Sequence, residues 1–144
     1  LAAHGGRPEK GDDLPMVSEI KYIELKTGYH DDGPAWIGKV MIGKAGTTLY
    51  FNDRAFRKGH APSAYHSNYY DVETGEGYWI SDIKRCGAYR HWTGSGKIKI
   101  DRKIVPEYLR LANREQLDGG RFEIVDMQDV YPIERILKLE SGKK

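Results

Sequence analysis

From residue 36 to residue 51 hydrophobic and polar positions alternate. In WIGKVMI (36–42), Trp36, Gly38, Val40 and Ile42 fall on one face, and Ile37, Lys39 and Met41 on the other. That period of two belongs to a β-strand. GKAG (43–46) reads as a turn, and TTLYF (47–51) returns as a second strand with Leu49 and Phe51 on one side. IKYIELK (20–26) is an earlier run of β-formers, closed by the turn residues of GYHDDGP (28–34). Asn52-Asp53 is a further turn signal, followed by RAFRK, and GHAPSAYHSN (59–68) reads as a surface loop. YYDVETGEGYWISDI (69–83) has the pattern of a hairpin, two strand-like runs around a turn containing Thr74-Gly75. In KIKID (97–101), Ile98 and Ile100 point inward and Lys97 and Lys99 outward.

After residue 101 the period changes. In IVPEYLRLA, Pro106 suits a first helical turn. Ile104, Tyr108 and Leu111 form an apolar stripe, widened by Val105, Leu109 and Ala112. FEIVDM (122–127) alternates as a last strand. PIERILKLE (132–140) predicts a second helix, with Ile133, Ile136 and Leu137 on one side and a Glu134–Lys138 pair one turn apart. The expected fold is mainly β (α+β): an antiparallel meander or SH3-like small barrel with two short C-terminal helices. Runs 36–42, 47–51, 78–83 and 97–101 are expected to be antiparallel strands of one sheet. Residues 1–16, rich in glycine, proline and charge, are expected to be a flexible tail, leaving 17–144 as a single domain.

Composition narrows the class without naming a function. The chain has 144 residues, 39% hydrophobic and 31% charged, which suits one soluble globular domain with a proper core. No apolar run approaches the ~20 residues that span a bilayer, and the first residues lack the pattern of a signal peptide. The single cysteine, Cys86, cannot form an intramolecular disulfide and suits a reducing compartment.

Charge is more informative by position than in total. Between Lys84 and Lys103 there are seven cations (Lys84, Arg85, Arg90, Lys97, Lys99, Arg102 and Lys103) against Asp101 alone, a local balance of +6. The whole chain carries +2, so the remainder sums to −4. Such segregation is what a binding face for anions requires. Arg54, Arg57 and Lys58 could extend it. Tyr78, Trp79, Tyr89 and Trp92 lie among these cations, with Tyr69 and Tyr70 on the partner strand. Cations contact phosphates and aromatic faces stack on unpaired bases, so the mixture suits RNA or single-stranded DNA. The residues expected to carry it are Lys84, Arg85, Tyr89, Arg90, Trp92, Lys97 and Lys99. The bland alternative assigns Trp79 and one of Tyr69 and Tyr70 to the core, and reads the lysines as edge protection against aggregation.

Catalysis has one candidate. His91 sits between Arg90 and Trp92, near Thr93 and Ser95, and a histidine among cations could act as general acid–base on a phosphodiester. Metal-independent ribonuclease toxins use that combination on small β-rich folds. His60 and His66 are possible partners of His91, and a loop histidine of no catalytic role is the plainer reading. His30-Asp31-Asp32 and His60 with His66 lack a metal-binding spacing, and the P-loop, dinucleotide and EF-hand patterns are absent, so no metal or cofactor is expected. Cys86 is read as a packing residue. Asp71 and Glu73, with Glu76 across the turn, are read as hairpin solvation. A protein–protein module using exposed tyrosines is the third functional class.

The pattern IKYIELKTGY, GPAWIGKV, TLYFN, NYYDVETGEGYWISDIKR, RHWTGSGKIKID and EYL, covering residues 20–112, resembles a small bacterial family. Its members sometimes carry an inherited name, 1-deoxy-D-xylulose-5-phosphate synthase. Such thiamine-diphosphate enzymes are far longer and hold their cofactor through a GDG motif followed by asparagines; Gly11-Asp12-Asp13 is no substitute. The resemblance implies a soluble bacterial cytoplasmic protein and carries over no catalytic residue.

Overall fold

Six strands pair each with the one before it, and the last closes on the first. They are β1 (Pro15–Leu25), β2 (Ala35–Gly43), β3 (Thr48–Phe51), β4 (Arg54–Lys58), β5 (Tyr69–Asp71) and β6 (Gly77–Asp82). Each is antiparallel to the one before it, and β6 pairs with β1 from Lys21↔Asp82 to Leu25↔Tyr78. The meander is therefore a closed small barrel, as the alternation predicts. This computed structural model describes residues 15–26, 34–43, 46–59, 67–83 and 97–141. Strand β1 begins at Pro15, slightly before the domain boundary expected from composition.

Local chemistry explains the turns. Phe51 pairs with Arg54, so Asn52 and Asp53 form a two-residue hairpin loop, with φ of 51° and 63°. Both lie in the left-handed region that a type I′ turn needs, and Asn and Asp tolerate it best among residues with side chains. RAFRK, left unassigned by the sequence pattern, is the return strand β4. At the next hairpin the Asp71 carboxylate accepts from the backbone N–H groups of Glu73 (2.8 Å) and Thr74 (3.2 Å). Asp71 is only 1% exposed, so it anchors the turn from inside, and its reading as surface solvation is corrected.

The barrel interior is filled by Ile23, Val40, Leu49, Phe51, Phe56, Tyr78 and Ile80. Phe56 meets Tyr78 edge-on at 4.7 Å between ring centroids. Gly38 makes this filling possible, because a Cβ there would lie 2.6 Å from Cε1 of Phe51. Trp36 shares the Gly38 face and packs against Phe51 and Tyr78.

Beyond the barrel the antiparallel expectation fails. Strand β7 (Ile98–Asp101) runs parallel to β2, with Trp36 opposite Lys99, and β8 (Phe122–Val125) runs parallel to β7. Parallel neighbours need a crossover connection rather than a hairpin, and here helix α1 (Val105–Ala112) lies between β7 and β8. A single 3₁₀ turn, Arg102–Ile104, leads into α1, and Asn113 ends it in the left-handed conformation at φ 58°. Ile104, Tyr108 and Ala112 bury against Ile20, Tyr22, Ile37, Ile98, Ile100 and Phe122. Leu111, expected in the stripe, is 37% exposed; the buried set repeats every four residues and Leu111 falls outside it. Helix α2 (Ile133–Ser141) lays Ile136 on Tyr50 and Ala55, on the outer face of β3 and β4. No helix among the described residues is long and apolar enough to cross a membrane.

Candidate functional site

Of the residues expected to bind nucleic acid, Lys97 and Lys99 can be placed; Lys84, Arg85, Tyr89, Arg90, His91 and Trp92 lie outside the described residues, as do Cys86, His60 and His66. Lys97 is exposed just before β7. Lys99 is half-buried on β7, and its neighbours Ile98 and Ile100 are fully buried on the opposite face, against α1. Alternation therefore turns both lysines away from the helix-covered core, as predicted. Neither forms an ion pair among the described residues.

The other cations of this region among the described residues, Arg102 and Lys103, are already engaged. Arg102 Nε donates to Asp126 (2.8 Å). Lys103 Nζ donates to the Met127 carbonyl (2.6 Å) and lies 3.3 Å from the buried Asp101 carboxylate. Arg54 Nη1 donates to Asp71 (3.0 Å), and Arg57 donates to Thr48 Oγ1 (3.1 Å) and pairs with Glu140 of α2. The proposed extension of the basic face through Arg54 and Arg57 is therefore corrected: both guanidiniums are held by carboxylates. Lys58 remains exposed at the end of β4.

Arg135 of α2 makes the most elaborate of these ties. It grips both Glu73 oxygens through Nε (2.7 Å) and Nη2 (2.9 Å), and Asp53 through its carboxylate (3.0 Å) and carbonyl (2.9 Å). One side chain thus joins the β3–β4 and β5–β6 turns to the helix. The hydrogen bonds to Glu73 and Asp53 hold the Arg135 guanidinium above its ordinary range, so its charge is permanent. Within the barrel, burial pushes the Tyr78 hydroxyl up to about 12, despite the opposing charge of Arg54.

Two further polar sites are unsuited to phosphate. On β1, the Tyr22 hydroxyl donates to Glu24 Oε1 (2.7 Å) and Lys26 Nζ to Glu24 Oε2 (3.1 Å), with Glu24 and Lys26 both buried. Both oxygens of Glu24 are thus engaged. A surface pocket of about 510 Å³ opens between the end of the barrel and α1, with Glu19, Asp82 and Glu107 against Arg110, over Ile20 and Leu111. Lys21 bridges Glu19 (3.1 Å) and Asp82 (2.7 Å), and the remaining acidity repels anions. Among the described residues no cluster of His, Cys, Asp or Glu could hold a metal ion.

Trp79 is the aromatic that the sequence misplaces. The bland alternative puts it in the core, yet it is 39% exposed, while Tyr78 and Ile80 on either side are 2% and 4% exposed. Strand alternation gives the inward phase to those two and leaves Trp79 on the outer wall; the pattern in GYWISD itself carried that signal. Tyr69 packs against the barrel interior and Tyr70 is half-buried on the outer face. The described residues thus define a small β-barrel with two lysines at an added strand that form no ion pair among the described residues, and with an exposed Trp79 and a half-buried Tyr70 on its outer wall. Comparison with family models, with curated proteins and with solved structures finds no match to the chain.

Proposed function

We propose that this protein binds single-stranded nucleic acid, RNA or DNA, in the cytoplasm, through the basic face spanning residues 84–103. One observation carries the reading: Lys99 on β7 and Lys97 just before it have no carboxylate partner among the described residues, whereas Arg54, Arg57, Arg102 and Arg135 are each paired. They belong to a segment of balance +6 in a chain of +2. A phosphate chain is the ligand such a segment would attract.

Titration of a labelled oligonucleotide at two salt concentrations tests it. Each phosphate neutralised on a single strand contributes a slope of about −0.7 in log K against log salt. Lys97→Ala with Lys99→Ala is expected to weaken binding to all sequences alike and to flatten that slope by roughly 1.4. No binding at low salt overturns the proposal.

A further inference from the structure

We infer that the free edge of β8 is a self-association surface: a second copy of this chain adds its own β8 antiparallel to the first, with the two Ile124 residues opposite each other. The inference does not depend on the nucleic-acid reading above. Closure leaves the barrel without an edge, because β1 pairs with both β2 and β6. The two added strands restore one. Strand β7 lies between β2 and β8, and β8 ends the sheet with β7 as its one neighbour among the described residues.

Ladder phase decides which backbone groups that edge presents. The Ile98 N–H donates to the Arg121 carbonyl (2.9 Å). Successive residues of a strand send their N–H and C=O groups to opposite sides, so Glu123 serves β7 and Ile124 faces away from it. The Phe122 N–H is already taken by the Asp118 carbonyl (3.1 Å). Ile124 is therefore the residue of β8 whose N–H and C=O both open on the free edge, with no partner among the described residues. An edge of this kind is a template for another strand.

Side chains say what the added strand must carry. Tyr22, Ile37, Ile100 and Ile124 lie opposite one another in a row across β1, β2, β7 and β8. The first three are buried in the cluster that α1 covers, whereas Ile124, the last of the row, is 43% exposed. The apolar row thus reaches the edge uncovered, and an apolar residue on the next strand completes it. A second β8 supplies one in Ile124 itself.

Symmetry fixes the register. A two-fold axis perpendicular to the sheet keeps the same face up in both copies, so each residue meets one of its own phase. Centring on Glu123 would oppose two carboxylates, and centring on Val125 moves the pairing past the end of the strand. Centring on Ile124 gives two reciprocal N–H···O=C bonds between the Ile124 residues and continues the row through Ile100 and Ile37 of the second copy. Glu123 then meets Val125, with Lys99 beside it on its own β7. Antiparallel alignment also brings Arg121, before one strand, to the segment holding Asp126 and Asp129 after the other, so opposite charges meet at both ends. A parallel alignment would bring Arg121 to Arg121.

Sedimentation of the full chain over a dilution series tests association, and amide exchange followed by NMR tests the register. The wild type is expected to pass from one chain to two as concentration rises. Ile124→Lys, which places two cations on the axis and removes the apolar contact, should weaken the dimer about tenfold or more. Ile124→Pro removes the outward N–H without touching the ladder to β7, a position where an edge strand tolerates proline, and should weaken it as well. In the wild type the Ile124 amide should exchange more slowly as the dimer forms, while the Glu123 amide, turned to β7, stays protected throughout. A chain that remains monomeric at the millimolar concentrations of the spectra overturns the proposal and leaves the edge to a strand of another protein. A dimer that neither variant weakens, or one whose Ile124 amide exchanges as fast as in the monomer, has its contact elsewhere and overturns it too. Should Ile124→Pro fail to fold, Ile124→Lys and the wild-type exchange rates decide.

Discussion

Tyr50 on β3 and Tyr70 on β5 both point outward from the barrel, yet Tyr50 is 3% exposed and Tyr70 is half-buried. The wall around Tyr50 is roofed by α2, whose Ile136 is 2% exposed against Tyr50 and Ala55. Three polar ties hold the roof down: Arg135 to Glu73, Arg135 to Asp53, and Arg57 to Glu140. The wall around Tyr70 and Trp79 has no such roof among the described residues. The difference shows where the charge of this chain is spent. Carboxylates on α2 and the turns neutralise the arginines nearest the covered wall, whereas Lys99 on the added strand and Lys97 just before it have no carboxylate partner among the described residues.

The largest expected effect tests whether the roof is part of the core. Ile136→Ala removes the one fully buried side chain of α2 and should cost about 2–4 kcal/mol. The denaturant midpoint should fall at an unchanged slope. A silent substitution would mean that α2 is only loosely attached, and the contrast between the walls would collapse.

A tyrosine inside the barrel sharpens the comparison through pH. The folded state raises the Tyr78 hydroxyl to about 12 against an ordinary value near 10. A raised pKa favours the neutral form in the folded protein. Its contribution is fully present below pH 10 and is lost as pH rises through 12, with a total of about 2–3 kcal/mol. Burial also raises the Tyr131 hydroxyl, and Asp82 and Glu19 hold the Lys21 ammonium above its ordinary value against burial, so both act in the same direction. Tyr78→Phe should therefore shrink the alkaline decline in unfolding free energy without abolishing it. An unchanged decline in Tyr78→Phe would refute the assignment.

Arg135→Gln isolates the polar ties. The side chain is nearly half exposed, so solvent screening limits its worth to about 1 kcal/mol despite the bidentate geometry. The loss should shrink in high salt, because the pairs it removes are already screened there. A loss that stays the same at 1 M salt would place the role of Arg135 in packing instead.

Much of this arrangement was legible in the sequence, and the limits have physical causes. Alternation in 36–42 and 47–51 assigned faces correctly because each strand of a small barrel has one inward phase. Ile98 and Ile100 were placed inside by the same rule. The turns after β2, β3 and β5 imply antiparallel neighbours, but local turn chemistry says nothing about a strand reached by a longer connection, and β7 proves parallel. RAFRK was missed because Arg54 and Lys58 mask the single inward Phe56. Size alone favours the core for Trp79, and the strand phase of GYWISD overrides it. Pairing of Arg54 with Asp71 and of Arg57 with Glu140 joins residues far apart in the chain, and local charge counting cannot see such ties.

Trp79→Ala should have the smallest effect on stability, and that modesty is its value. A buried aromatic of this barrel, such as Phe56, would cost about 3–5 kcal/mol on truncation to alanine. Trp79 leaves 39% of its surface in water and is absent from the hydrophobic clusters that fill the barrel and seat the helices. Its truncation should cost about 1 kcal/mol, mainly from contact with the barrel wall. Chemical denaturation of the variant beside Ile136→Ala gives the comparison directly. A Trp79→Ala penalty as large as that of Ile136→Ala would make the open wall as structural as the roofed one. The ring would then belong to the core. A small penalty leaves Trp79 as a large aromatic surface that the fold does not require.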